Sequence, residues 1–371
     1  MPEVEIVGAG LAGADGGRPS HAELLYRATR AALDDAGLER DSITTAVTAS
    51  YDYVEGRPLS NQFTLDSIGG TMKPCDLRVG DDGMHAIAAG VSAALADPGA
   101  VVAVGAVQLR SGDHSEETYQ RVQELSYEPV WQRPILAGAR NPEALAFGMR
   151  AQQYMALHGT SEDDLANLVS RRSSAGNGSR RSVEEILESP VIAGPLRELH
   201  VAPPTDVAAT VLLSTDPPGG RSRGTIRGIG WSAVDAMLPT RDLAVDEATA
   251  HAARDAYARA GIEDPVEQVD RAELYNVYGI DELQALEALG LASAGGAIEA
   301  LRPDQGIAVN PDGATQSHGW APGAASIAAT VRALDELGQE PGPSLLVTQG
   351  WTGCGGCSAA VAVIETNRGT R

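Results

Sequence analysis

Residues 80–107 read GDDGMHAIAAGVSAALADPGAVVAVGAV, and residues 324–348 read AASIAATVRALDELGQEPGPSLLVT. Both pass from an alanine-rich helix through a proline-glycine break into a short apolar strand. In the first, Gly80 to Gly83 lead into a helix from Met84 to Ala96, and Pro98 and Gly99 stop it. Val101 to Val107 then reads as a buried strand. In the second, the helix runs from about Ala324 to Leu337 and the strand from Leu345 to Thr348. The elements upstream repeat too. Strand Val4–Gly8, helix His21–Ala36 stopped by Gly37, and strand Thr45–Ser50 precede the first copy. Strand Thr225–Ile229, helix Glu247–Ala260 stopped by Gly261, and strand Ala272–Val277 precede the second. A displacement of roughly 220–240 residues is several times a solenoid period, so the pattern is a duplicated domain. The expected division is 1–224 and 225–371, with an unrepeated, polar insertion at about 110–204. Alternating strands and helices predict an α/β fold with mostly parallel sheets covered on both faces.

Composition narrows the class. The 371 residues are 43% hydrophobic and 21% charged, which fits a globular chain. The formal net charge of -22 disfavours binding to nucleic acid or anionic lipid, which needs clustered cations. No apolar run reaches 18 residues and MPEVEIVGAG lacks a leader pattern, so the expectation is a cytoplasmic protein with no membrane span. Three cysteines make no disulfide framework. Cys354 and Cys357 have C-x-x-C spacing, but no second pair completes four ligands, so no metal is expected. Arg171, Arg172, Arg180 and Arg181 flank the polar stretch SSAGNGS. They read either as a solvated loop or as guanidinium contacts to a phosphate-bearing ligand.

Five ordered segments resemble the thiolase superfamily, especially its sterol-carrier-type branch. They are ALAFGMRAQQYMALHGTSEDDLANLVSRR, SPVIAGPLRELHVAPPTDVAATVLLST, AELYNVYGIDELQALEALGL, VNPDGATQSHGWAPGAA and GCGGCSAAVAVIE. The resemblance covers nearly the whole chain. It implies two duplicated α/β halves in a layered αβαβα arrangement with a helical and loop insertion. It also implies a coenzyme A thioester as substrate and a homodimer.

The family's chemical positions are altered. Gly80 falls where the acyl-accepting cysteine is expected, in the turn VGDDGMHA, and glycine cannot be acylated. Asp81 or Asp82 reads as the cap of the following helix, and His85 as core packing or a buried hydrogen bond. Gly353 falls at the second cysteine, with Cys354 beside it and Cys357 three residues on. A one-residue slip makes Cys354 an acid/base thiol; otherwise these cysteines are structural. Tyr275, in Tyr275-Asn276-Val277-Tyr278, replaces a family histidine and reads as a proton carrier or as a packed strand-end tyrosine. Trp320 aligns with the histidine of Gly-His-Pro, and His318 lies two residues earlier. Either His318 supplies the oxyanion imidazole or Trp320 walls the pocket.

The expected catalytic residues are therefore Tyr275, His318 and Cys354. Gly80, Asn276, Tyr278, Asn310, Trp320, Gly353 and Gly355 are expected to line the substrate. The departures imply carbon–carbon cleavage or formation of retro-aldol type without an acyl-cysteine, similar to the steroid side-chain aldolases of lipid metabolism. In those, an OB-fold, zinc-ribbon partner completes the complex. Two alternatives stand beside it: a silent subunit scaffolding an active partner, and an acyltransferase using Cys354 or Cys357. No bound cofactor is expected; coenzyme A enters as part of the substrate.

Overall fold

The computed structural model describes residues 3–14, 16–51, 63–109, 142–176, 178, 180–302 and 306–366. The first part of the expected insertion, 110–141, lies outside the described residues, as do Asn177 and Ser179 of the SSAGNGS stretch. The first half contains β1 (Val4–Gly13), α1 (His21–Ala36), β2 (Ile43–Ala49), β3 (Cys75–Val79), α2 (Gly83–Ala96) and β4 (Val101–Gln108). Helices α3 (Pro142–His158), α4 (Glu162–Ser173) and α5 (Val183–Glu188) follow. The small hairpin β5 (Val191–Ala193) and β6 (Leu196–Arg197) leads to β7 (Val207–Ser214). The second half contains β8 (Gly224–Ala233), α6 (Glu247–Ala260), β9 (Arg271–Glu273) and α7 (Ile280–Ala288). It continues through β10 (Ala308–Val309), α8 (Ala314–His318), α9 (Ala325–Leu337), β11 (Leu345–Thr352) and β12 (Ser358–Thr366).

Strand order confirms the duplication. One sheet runs β10-β9-β11-β12-β8-β1-β7-β4-β2-β3. Read outward from its centre, the order is β1-β7-β4-β2-β3 on one side and β8-β12-β11-β9-β10 on the other. Matching pairs have matching sense: β1/β7 and β8/β12 are antiparallel, β2/β4 and β9/β11 parallel. The halves join through three residue pairs of β1 and β8, from Val4↔Ile226 to Ile6↔Gly224. The expectation of mostly parallel sheets is corrected: each half is mixed. The reason is the return strands. β12 follows β11 through a tight glycine turn, too short for a parallel crossover, and β7 takes the same place after the insertion.

Glycine pairs set how closely the outer helices approach. A Cβ on Gly8 or Gly10 would meet the carbonyls of Ala32 or Ala28 in α1, at 2.3 and 2.2 Å. Gly228 and Gly230 stand in the same relation to Ala256 and Ala252 of α6, both at 2.1 Å. Helices α2 and α9 lie between the halves, where Ile87, Val91, Ile327 and Val331 pack against Val104, Val211 and Ala360. Helix α1 covers the outer face of one half and α6 that of the other, which completes the αβαβα layering.

The strand expected over 272–277 ends at Glu273. Side chains take over its hydrogen bonds. Leu274 N donates to Asn310 Oδ1 at 2.8 Å, Tyr275 N to Gln349 Oε1 at 3.2 Å and Asn276 N to Thr315 Oγ1 at 3.1 Å. This segment leaves the sheet above the buried helices and points Tyr275 back toward α2.

Candidate active site

Asp82 is the residue on which the site converges. It caps α2, with Oδ1 accepting from Met84 N at 2.9 Å, as the sequence suggested. It is also 1% exposed and makes two further contacts. Ser326 Oγ of α9 donates to Oδ1 at 2.7 Å, and the Tyr275 hydroxyl donates to Oδ2. Thus a carboxylate from the first half is bound by hydroxyls from the second. Burial raises the Asp82 pKa, and the hydrogen bond from Tyr275 only partly opposes this. Burial, and then the Asp82 charge, hold the Tyr275 hydroxyl well above the usual phenol range. The pair is a phenol donor on a carboxylate acceptor. Tyr275 by itself is no general base at neutral pH.

A narrow cleft above this pair is lined by Tyr51, Asp82, Tyr275, Trp320, Gly323 and Trp351. Trp351 packs edge-on against Tyr275, with ring centroids 5.7 Å apart, and lies 6.3 Å from Trp320. Phe147 of α3 stacks on Tyr278 at 4.7 Å and packs against Trp351 at 4.6 Å. Gly80 opens beside the start of α2; among the described residues, a Cβ there would meet nothing within 4 Å.

Buried polar groups hold these walls. Asp281 accepts from Val277 N at 2.7 Å and Tyr278 N at 3.0 Å. Asn276 is fully buried, donating to Glu282 Oε2 at 3.1 Å and accepting from Gln316 N at 3.1 Å. Arg172 Nε donates to Glu282 Oε1 at 2.9 Å, and Arg172 Nη1 to Asn310 O at 3.1 Å. Arg181 donates to Leu199 O at 2.8 Å and Val201 O at 3.1 Å, and burial lowers its pKa to about 10. Arg172 and Arg181 are thus committed to the fold and not to a phosphate, while Arg171 and Arg180 are exposed.

The expected site residues separate into groups. Tyr275 and Trp320 face the cleft. Asn276, Tyr278 and Asn310 sit behind it, buried in its supports. His318 is not among its walls: Nε2 lies 2.9 Å from Asp312 Oδ2, which Arg332 Nε also meets at 3.2 Å. Burial would raise the Asp312 pKa, but the His318 and Arg332 contacts hold it below the usual carboxylate range. Cys354 packs with Ala146, Leu238 and Leu243, turned toward α3. Gly355 O receives Arg150 Nη1 at 2.9 Å and Arg241 Nη2 at 3.1 Å. Gly353, at φ 74°, has Cys357 Sγ 2.6 Å from the position a Cβ would take. Sequence reasoning gave Asp82 a cap and nothing more. Its distance of 193 residues from Tyr275 leaves no local signal of their contact.

Comparison with known proteins agrees with this fold. Residues 232–364 match the family described as thiolase C-terminal domain-like. An acetyl-CoA acetyltransferase of Methanothermobacter thermautotrophicus is 28% identical over 286 residues, 68% of this chain and 72% of the relative. The benzoylsuccinyl-CoA thiolase subunit BbsB of Thauera aromatica is 30% identical over 236 residues, 57% of this chain and 60% of the relative. Among solved structures, the Ltp2-ChsH2(DUF35) aldolase superposes with a TM-score of 0.77 at 19% identity, covering 100% of this chain and 99% of that one. A monomeric SCP2-thiolase-like protein type 1 from Mycobacterium smegmatis gives 0.72 at 20% identity, covering 99% and 78%. Among the described residues, no helix is long and apolar enough to cross a membrane.

Proposed function

We propose that this chain belongs to the thiolase superfamily, in its sterol-carrier-type branch, and that it acts on a β-hydroxyacyl coenzyme A thioester by retro-aldol chemistry, with no acyl-cysteine. The observation that carries the reading is the buried Tyr275–Asp82 pair beside Gly80, a position without a nucleophile. In the cleavage direction the β-hydroxyl proton passes to the Tyr275 oxygen as the phenol proton moves to Asp82. The electrons of the O–H bond form the new carbonyl. The Cα–Cβ bond breaks, and its electrons enter the thioester enolate. Burial of Asp82 suits this relay, because it brings the carboxylate closer to accepting a proton. The thioester carbonyl would sit over Gly80, near the start of α2, whose dipole favours the enolate oxygen. Trp320 and Trp351 would hold the apolar acyl chain.

The test is turnover of a panel of β-hydroxyacyl coenzyme A esters, with carbonyl product measured by mass spectrometry. Tyr275→Phe keeps the ring and removes the proton carrier, and should lower kcat by ~10²–10⁴-fold. Unchanged turnover would remove Tyr275 from the mechanism. A full panel without turnover, alone and with an added partner, would favour the scaffolding subunit.

The acyltransferase reading keeps one specific support: the Cys357 thiol fills the space beside Gly353. Burial pushes that thiol up, which suits a protonated acid and disfavours a thiolate. We further propose a cytoplasmic homodimer, with an OB-fold, zinc-ribbon protein as a second partner. The aldolase neighbour, whose name pairs Ltp2 with ChsH2(DUF35), supports the latter.

A further inference from the structure

A second set of groups lies at the start of α2. Asp81 and His85 are one helical turn apart, and Asp81 Oδ1 lies 3.6 Å from His85 Nδ1. On the other side of the ring, His85 Nε2 lies 2.9 Å from Ser358 Oγ. Ser358 opens β12, just after the glycine turn at 353–356, so it comes from the other half of the duplication. Asp81 is itself fixed, with Oδ1 accepting from Asp82 N at 2.9 Å. The His85 side chain is 10% exposed and that of Asp81 28%, so water does not saturate either.

At 3.6 Å Asp81 Oδ1 is a neighbouring charge and not a hydrogen-bond partner of Nδ1, and that charge favours a proton on Nδ1. Were Nδ1 unprotonated, its lone pair would face Asp81 and repel it. In the tautomer with the proton on Nδ1, Nε2 is the acceptor and Ser358 donates its hydroxyl proton to it. A hydroxyl donating to an imidazole that a carboxylate orients is the arrangement that activates a serine nucleophile. Among the described residues, nothing stands within 4 Å of a Cβ on Gly80, next to Asp81 in the chain.

We infer that Asp81, His85 and Ser358 form a nucleophilic site for acyl transfer from a thioester. The thioester class rests on the proposed function; the serine site does not. In the first step Ser358 Oγ attacks the acyl carbon, and His85 Nε2 takes the hydroxyl proton. The carbon–sulfur bond breaks with its electrons on sulfur, and His85 returns the proton to release a thiol. In the second step water attacks the acyl-serine with His85 as base, the ester bond breaks, and Ser358 regains its proton. The net reaction is a thioester plus water giving a carboxylic acid and a thiol.

The probe is a biotinylated fluorophosphonate applied to the intact chain, with adducts located by peptide mass spectrometry. The expected result is phosphonylation of Ser358, at least ~10²-fold slower in His85→Gln and clearly slower in Asp81→Asn. The amide in His85→Gln can still meet the Ser358 hydroxyl, so the variant is expected to fold, and its melting temperature checks this. Thiol release from acetyl coenzyme A should fall with Ser358→Ala. An unlabelled Ser358, or labelling as fast in a folded His85→Gln protein, overturns the inference. Fluorophosphonate needs no coenzyme A ester, so this outcome is independent of the retro-aldol panel.

Discussion

The thiol of Cys357 stands 2.6 Å from the point where a Cβ on Gly353 would lie. The two positions share one space, and residue 357 fills it. Gly353 is also left-handed, at φ 74°. Gly353→Ala therefore meets both a clash and backbone strain, and should cost about 1–3 kcal/mol, read from a urea midpoint. Adding Cys357→Gly should recover part of the loss. Strict additivity of the two changes would mean that they do not share the space.

Gly80 is the opposite case, with no described residue within 4 Å of a Cβ and no positive φ. Gly80→Cys should fold with stability within about 1 kcal/mol of the parent. Its thiol, at the start of α2, should titrate below the ~8.5 of a free cysteine. Iodoacetamide rates against pH measure this; a pKa at or above the free value would show that Asp81 and Asp82 cancel the helix dipole there.

Asp82 accepts from one backbone amide and two hydroxyls at once. Asp82→Ala leaves those donors buried and should destabilise by about 2–4 kcal/mol. Asp82→Asn keeps the cap oxygen and should lose less, while still abolishing the proposed proton relay. Calorimetry and turnover on the same two variants separate support of the fold from chemistry.

Stability should also report on buried carboxylates. Burial raises the pKa of both Asp281 and Glu273 to about 7, from ordinary values near ~4. The folded state thus holds protons that the unfolded state releases. This contribution is full below the unfolded pKa and is lost as pH rises through 7. The melting temperature should be higher at pH 6 than at pH 8. His200 acts oppositely: burial lowers it to about 4, so its contribution is full above ~6.5 and is lost as pH falls through 4. A melting temperature that rises from pH 6 to pH 8 would contradict the assignment of Asp281 and Glu273.

What was legible in the sequence was local. The ends of α1 follow from Ser20 and Gly37, and the repeated order of elements follows from periodicity and breakers. The glycine pairs 8/10 and 228/230 also carried the duplication, in plain view, as residues too small to hold a helix away from a strand. The central places of β7 and β12 were not legible, because apolar runs do not state their neighbours. Tyr275 reads as a strand residue because it lies in the run Ala272–Val277 with Leu274 and Val277; only the side chains of Asn310, Gln349 and Thr315, all distant in sequence, take it out of the sheet. The contact of His85 with Ser358 spans 273 residues and had no local trace.

The place of β7 governs how the chain can assemble. It lies between β1 and β4, pairing with both, yet it is spelled some hundred residues after β4. A nascent chain that has produced β1 to β4 holds one sheet fragment, β4-β2-β3, and the separate strand β1. They stay apart until residues 207–214 emerge and bridge them. The second half has no such delay, since β11 and β12 follow each other directly. The two copies of one architecture should therefore fold at different speeds. The earlier-made half closes late, and its open edges are where a chaperone would find work.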